Sequence, residues 1–248
     1  MAYCGERDSY HDTDMKVALV TGSSQGIGRA IALKLAVAGY LVWAVARRLP
    51  ELEELSREAP AERVIATQCD LADPDGIVDL VARISAQTPE LSAVVHSAGS
   101  IVHGPIADTA VAELRRQFED NVESAYALTQ ALLPYLVSSA SIVFLNSSQG
   151  LRATAGTSQF AASMHARKAV TDALRDETNG RGIRLTSIFP GRTATPRQEA
   201  IYGKNNWTYR PELLLQPEDI ADLALAVLEL PATAEVTDIM IRAAVKSY

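Results

Sequence analysis

Short apolar runs rich in β-branched residues alternate along this chain with longer helical patterns. The first run, 16–21 (KVALVT), is continuously apolar after its lysine, as expected for a strand covered on both faces. Strands joined by helices of about ten or more residues pair in parallel through right-handed crossovers. The alternation therefore predicts an α/β fold, a doubly wound parallel sheet of about seven strands with helices on both faces. Strands are predicted at 16–21, 41–46, 63–68, 91–96, 141–146, 184–189 and 237–242, and helices at 28–38, 50–58, 74–86, 108–137, 158–179 and 217–229.

The length of 248 residues fits one large α/β domain, and 48% of the residues are apolar, so a core needs neither metal nor disulfide. We predict a single domain over 15–248. Residues 1–14 are polar and lack the apolar core of a signal peptide, so we predict a disordered leader there. The segment 191–216 is too long for a simple connection, which predicts a substrate loop.

Charge and composition exclude several classes of partner. The net charge of −7 argues against non-specific nucleic-acid binding, which needs a basic surface. No apolar run reaches the roughly 18–20 residues of a membrane span. Cys4 and Cys69 form neither a disulfide framework nor a metal-ligand spacing, and we expect two reduced thiols in a cytoplasmic protein without a metal site.

A glycine-rich turn, Thr21 to Gly28 (TGSSQGIG), joins the first strand to the first helix. Glycines allow a sharp turn and a close approach to a pyrophosphate, and the helix N-terminus supplies oriented N–H groups. Because the turn follows a buried strand and opens a helix, it predicts a Rossmann-type dinucleotide site. The predicted contacts are Gly22, Ser24, Gln25, Gly26, Ile27 and Gly28.

The end of the second strand indicates which dinucleotide is bound. NAD-selective folds place an acidic residue there for the ribose 2′-OH, whereas this chain has Ala46 followed by Arg47 and Arg48. Guanidinium groups suit a 2′-phosphate, so NADP(H) is the expected cofactor. In the alternative, Arg48 is solvated and Arg47 alone contacts phosphate.

Four further segments, in the correct order, resemble motifs of the short-chain dehydrogenase/reductase family. Asp70-Leu71 resembles its adenine-contacting Asp, and His96-Ser97-Ala98-Gly99 resembles its N-N-A-G with both asparagines replaced. Asn121 fits its helix asparagine, and Pro190 to Thr195 fits its P-G-x-x-x-T. The resemblance covers roughly 15–242. It implies further cofactor contacts at Asp70, Leu71, Ser97, Ala98, Gly99, Pro190, Gly191, Thr193 and Thr195, and a homodimer or homotetramer formed through helices 108–137 and 158–180.

The catalytic segment departs from the family pattern of serine, tyrosine and lysine. Counting from Ser147 places Phe160 at the tyrosine position and Met164 at the lysine position. A register that pairs Met164 with Lys168 would need a serine at Leu151 and still lacks a tyrosine. In the family the tyrosine is the general acid or base, and the lysine lowers its pKa and binds the nicotinamide ribose. We therefore predict an atypical catalytic set: Ser147, Asn121, Phe160 and Met164.

Other polar residues are candidates to replace the lost groups. Lys168 lies two helical turns from Phe160, roughly 12 Å along the axis, and His165 points about 100° away from Met164. His103 follows the fourth strand and could enter the cleft. Tyr202 and Tyr209 lie in the long loop and could reach a substrate.

Three functions remain open from the sequence. The first is a reductase whose small-molecule substrate needs no phenol acid, such as an imine or iminium, which already carries the charge that a carbonyl develops; loss of the lysine cation would also lessen repulsion. The second is a non-redox enzyme such as an isomerase, cyclase or lyase. The third is a binding protein, an inactive homologue or an active-site knockout of a carbonyl reductase.

Overall fold

The computed structural model describes residues 15–88 and 90–245, and a seven-stranded parallel sheet forms its centre. The predicted leader and Cys4 lie outside the described residues. In chain order the strands are β1 (Val17–Thr21), β2 (Leu41–Ala46), β3 (Val64–Gln68), β4 (Leu91–His96), β5 (Leu136–Leu145), β6 (Arg184–Pro190) and β7 (Asp238–Ile241). Their order in the sheet is β3-β2-β1-β4-β5-β6-β7, and every pair is parallel. This confirms the predicted fold class.

Helices cover both faces of the sheet: α1 (Gly26–Val37), α2 (Leu49–Glu58), α3 (Pro74–Gln87), α4 (Val111–Phe118), α5 (Ser124–Leu132), α6 (Ser158–Thr178), α7 (Pro196–Lys204) and α8 (Pro217–Leu228). Successive strand residues point to opposite faces. Ala18 and Val20 accordingly join the core under α1, α2 and α8, whereas Leu19 joins the core under α3, α5 and α6. In the described ranges, no helix is both long and apolar enough to cross a membrane.

The sheet order reverses between β1 and β4. The chain moves outward from β1 through β2 to β3, and then returns to place β4 on the other side of β1. The crossovers on the two sides of this junction therefore lead in opposite directions, which opens a crevice at the carboxyl ends of the two strands. This crevice determines where a ligand can bind.

The single helix predicted over 108–137 is wrong. The segment contains α4, a π-helical turn at Glu119–Glu123, α5 and a 3₁₀ turn at Leu133–Tyr135, and β5 already begins at Leu136. Pro134 lacks the N–H that would continue the α-helical hydrogen bonding, and α5 ends at Leu132 with a 3₁₀ turn after it. Leu136 pairs instead with Leu91 of β4, and Ser139 has a positive φ of 67° where the strand register shifts.

The segment 191–216 is also more ordered than its weak periodicity indicated. It contains α7, whose first turn is capped by Thr195: the Thr195 side chain accepts a hydrogen bond from Gln198 N at 3.1 Å. Pro196 occupies the first helical position, where its missing N–H costs nothing. The capping residue is thus the last residue of the P-G-x-x-x-T motif, which ties this helix to the crevice.

Packing between α1 and α8 provides a test of this architecture. Leu35 is fully buried in the core under α1, whereas Val37 on the same helix is 66% exposed. We expect Leu35→Ala to lower the free energy of unfolding by about 2–5 kcal/mol, because it removes buried methyl groups and leaves a cavity. The matched control Val37→Ala should stay within about 0.5 kcal/mol of the wild type. Urea unfolding measures both, and equal losses would contradict the assignment of this helix face.

Candidate active site

A cleft of about 1020 Å³ opens at the carboxyl ends of the strands, on both sides of the β1/β4 junction. The structure brings together on its walls every residue that the sequence assigned to the cofactor or to catalysis. These are Gly22, Ser24, Gln25, Gly26, Ile27, Gly28, Arg47, Arg48, Asp70, Leu71, Ser97, Ala98, Gly99, Asn121, Ser147, Phe160, Met164, Pro190, Gly191, Thr193 and Thr195.

Two glycines of the turn are required by close backbone contacts. Gly22 has a positive φ of 71°, and a Cβ on it would lie 2.9 Å from Ala98 N. A Cβ on Gly28 would lie only 2.5 Å from Gly22 O. No side chain fits at either position without moving the backbone, so the turn stays narrow and its N–H groups remain exposed to a ligand.

Thr21, at the end of β1, joins the two sides of the cleft. Its hydroxyl oxygen accepts hydrogen bonds from Ser97 N and Ala98 N, both at 3.0 Å. These N–H groups lie just beyond β4, where no neighbouring strand can pair with them. The threonine therefore sets the position of the 96–99 segment relative to the glycine turn.

Arg48 lies against the glycine turn. Its Nη2 donates to Ser24 Oγ at 3.1 Å and to Gln25 Oε1 at 2.8 Å, and its Nη1 forms an ion pair with Glu51 at 2.8 Å. Arg48 is thus half exposed but held against the turn, and which of the two arginines contacts a phosphate stays a prediction. Arg47 also lies on the cleft wall, so both arginines of the pair line the cleft beside the glycine turn.

The positions of the family's tyrosine and lysine form an apolar floor in the cleft. Phe160 is 5% exposed and Met164 is 2% exposed, and both belong to α6. Asn146 Nδ2 donates to Met164 O at 3.1 Å, which anchors this turn of the helix to the end of β5. Ser147 Oγ accepts from Gln149 N at 3.2 Å.

Asn121 lies at a local irregularity of its helix. It falls in the π-helical turn Glu119–Glu123, a distortion that is often found at functional sites. Its Oδ1 accepts from Ser100 N at 2.7 Å, and its Nδ2 donates to Ser100 O and to Ser163 Oγ, each at 3.0 Å. The side chain thus links α6 to the loop that follows β4.

Arg167 is a cleft residue that the sequence reasoning missed. It is 3% exposed, yet its Nη1 donates to Leu145 O at 2.8 Å and its Nη2 to Ala98 O at 3.2 Å. Its Nε is buried without a hydrogen-bond partner. Burial lowers the pKa of Arg167 to about 10, so the group remains charged at neutral pH. The signal available in the sequence was its helical spacing, three residues after Met164 and seven after Phe160.

The end of the cleft lined by the 191–216 segment carries a further arginine. Arg192 packs on Tyr202 and Trp207, with its guanidinium carbon 5.7 and 5.4 Å from the two ring centres. Trp207 lines the cleft, whereas Tyr202 is buried beneath it and packs edge-on against Tyr209. Neither tyrosine lines the cleft, so the expectation that they reach a substrate is not met.

His103 lies at the cleft beside Phe160, with ring centres 6.0 Å apart. Burial and the charge of Arg192 lower its pKa, so its imidazole is neutral at pH 7. Lys168 points elsewhere and forms ion pairs with Asp172 and Asp238. Among residues 15–88 and 90–245, no three or more His, Cys, Asp or Glu side chains come together in a way that could hold a metal ion.

Arg197, in the first turn of α7, reaches across the cleft. Its Nη2 donates to Gly99 O at 2.7 Å. A Cβ on Gly26 would lie 3.1 Å from Thr195 Cγ2, so the start of α7 also approaches the glycine turn. The segment after β6 therefore forms the wall that faces both the turn and the 96–99 segment.

Comparisons with known proteins agree with this geometry. The family model described as short chain dehydrogenase matches residues 16–206. An uncharacterized oxidoreductase of Staphylococcus epidermidis is 32% identical over 232 residues, which are 92% of this chain and 96% of that protein.

Two solved structures of dehydrogenases are also similar to this chain. The closed form of a serine dehydrogenase complexed with NADP⁺ is 26% identical with a TM-score of 0.86, covering 94% of this chain and 96% of that one. A short chain dehydrogenase from Burkholderia cenocepacia in complex with NADP is 28% identical with a TM-score of 0.80, covering 91% and 96%. Together these matches confirm the family resemblance drawn from the sequence.

Gly28 allows a direct test of the glycine turn. Gly28→Ala would force its Cβ against Gly22 O, and we expect the opened turn to weaken NADPH binding at least about 10-fold. Gly180→Ala is the control, because a Cβ at Gly180 meets nothing within 4 Å. Fluorescence titration with NADPH measures both. Unchanged affinity in Gly28→Ala would show that this turn does not hold the cofactor.

Stability should depend on pH through His96. His96 is buried, its ring stacks on Phe144, and burial followed by the charge of Arg167 lowers its pKa to about 3. Above pH 6.5 both folded and unfolded states are neutral; below it only the unfolded state gains a proton, so stability falls as pH falls towards 3.

We therefore expect the free energy of unfolding to fall by up to about 1.4 kcal/mol per pH unit from this residue, and His96→Asn to flatten the profile. Urea unfolding at pH 7.0, 5.5 and 4.5 measures the difference. Parallel profiles for the two proteins would contradict a buried, neutral His96.

Proposed function

Since the chain belongs to the short-chain dehydrogenase/reductase family of oxidoreductases, we propose that it transfers a hydride from NADPH to the carbon of an imine or iminium. The single observation that carries this proposal is the buried Phe160/Met164 pair in a cleft whose cofactor features remain. An acceptor that already carries its positive charge needs no proton donor at position 160.

The residues present fit NADP(H). The positions of Gly22 and Gly28 leave a cradle that a Cβ would fill, as a pyrophosphate requires. Arg47 and Arg48 offer guanidinium groups to a 2′-phosphate, which suits their forked geometry. The NADP complexes of the serine dehydrogenase and of the Burkholderia enzyme support the same choice. When bound, NADPH would supply the hydride.

The side chains around the acceptor would position it rather than protonate it. Phe160 and Met164 exclude water from the floor of the cleft, and neither can exchange a proton. Ser147 Oγ accepts from Gln149 N, which leaves its hydroxyl proton for a hydrogen bond to the substrate. His103 is neutral and suits a hydrogen bond better than proton donation. Hydride addition at carbon then moves the C=N electron pair onto the nitrogen, which is already protonated, and gives an amine.

The charge of the cleft narrows the substrate class. Arg192 and Arg167 are both positive and both line the cleft, so they would repel an iminium that carries no other charge. A carboxylate on the same molecule would offset this repulsion and would accept hydrogen bonds from the Arg192 guanidinium. We therefore propose a cyclic imine that bears a carboxylate beside the C=N bond.

A matched pair of cyclic imines tests the proposal. We expect NADPH oxidation, followed at 340 nm, with 1-pyrroline-2-carboxylate, and a kcat/KM at least about 10-fold lower with 1-pyrroline, which lacks the charge-assisted pair. Arg192→Met should bring the ratio of the kcat/KM values for these two substrates close to one. NADH in place of NADPH, and ketone and aldehyde substrates, serve as controls. Carbonyl reduction in the absence of imine reduction, or no NADPH oxidation by a protein that binds NADPH, would contradict the proposal.

A further inference from the structure

Arg167 carries a buried positive charge, which the proposed function uses only as part of the overall charge of the cleft. A buried charge is unfavourable unless it is paired or fully hydrogen-bonded. The guanidinium of Arg167 donates to two backbone carbonyls and lies 5.9 Å from the centre of the Phe144 ring. Its Nε has no hydrogen-bond partner, and no ion pair within the described residues involves it. Such a charge costs stability, which points to a role in the cleft it lines.

The position of Arg167 on α6 brings its charge to the turn of Met164. Residues 160, 164 and 167 share one face of the helix, and helical side chains lean towards the N-terminus, over the preceding turn. The acceptor of Arg167 Nη1 is Leu145 O, and the next residue, Asn146, donates to Met164 O. The guanidinium therefore lies beside the turn from which the family's lysine would extend.

The second hydrogen bond of Arg167 is made to the 96–99 segment, which follows β4. Arg167 Nη2 donates to Ala98 O, and its Nη1 lies 4.0 Å from where a Cβ of Gly99 would be. Ala98 and Gly99 are the residues that the family resemblance assigns to the cofactor. One guanidinium thus reaches the carboxyl ends of both β4 and β5 under this segment.

We propose that Arg167 is a positioning residue that supplies, from the next turn of α6, the buried positive charge that the family's lysine would supply from position 164. The two positions are then coupled, because side chains three residues apart on a helix lie about 5–6 Å from each other and two buried cations repel. Met164 is the uncharged partner that Arg167 requires. This inference rests on the proposed NADPH site but not on the identity of the hydride acceptor.

Reciprocal substitutions test the proposal by NADPH titration of the full chain. We expect Arg167→Gln, which can still donate hydrogen bonds, and Arg167→Met each to weaken NADPH binding about 10-fold, because the charge is lost. Met164→Lys combined with Arg167→Met should restore affinity to within about threefold of the wild type. The matched control, Met164→Gln combined with Arg167→Met, has a polar side chain without charge and should remain weak.

Thermal unfolding of the same proteins provides a readout that does not depend on the cofactor. Met164→Lys should lower the melting temperature by about 5 °C more in the wild-type background than in the Arg167→Met background, because only the former contains two buried cations. Should Arg167→Met not fold, the same comparisons are made with Arg167→Gln.

Wild-type NADPH affinity in Arg167→Gln would overturn the inference, as would NADPH binding by Met164→Lys/Arg167→Met that is no better than in its Met164→Gln control. Equal effects of Met164→Lys in both backgrounds would do the same. Tight NADPH binding by the wild type without reduction of any imine contradicts only the proposed function. A wild type that does not bind NADPH contradicts both.

Discussion

The junction between β1 and β4 is the constraint on which the rest of the structure depends. Parallel strands leave unpaired backbone groups beyond their carboxyl ends, and here the Thr21 hydroxyl accepts hydrogen bonds from Ser97 N and Ala98 N. The close approach of Gly22 to Ala98 depends on the absence of a side chain. Once this segment is in place, Arg167 can bind Ala98 O and Arg197 can bind Gly99 O.

The cleft contains a buried positive charge, although the position of the family's lysine carries none. The floor formed by Phe160 and Met164 has lost the phenol and the ammonium of the family motif, yet Arg167 keeps a buried cation one helical turn away. Arg192 adds another positive charge beside Tyr202 and Trp207, and burial together with this charge lowers the pKa of His103. The carboxylate-bearing imine proposed as substrate would suit these positive charges, and Asp70 and Asp120 also line the cleft.

Hydrophobic pattern alone located the sheet, because parallel strands covered on both faces must be continuously apolar. The same rule failed between 108 and 137, since a short apolar run is equally compatible with a buried helix and a strand. In this segment Leu136 pairs with Leu91 of β4, so the chain forms a strand there. The π-helical turn at Asn121 accompanies contacts with Ser100 and Ser163, which lie far away in the chain.

The sequence by itself determined the doubly wound sheet, the glycine turn, the Arg47–Arg48 pair and the absence of tyrosine and lysine at 160 and 164, because these follow from local pattern and spacing. Only the tertiary structure decided that Arg48 lies on the glycine turn, that Tyr202 lies behind the cleft, and that Arg167 lies within it. A single arginine in a helical pattern usually indicates a solvated face. Whether it is buried depends on which strand ends lie under that face, and those carbonyls come from residues distant in the sequence.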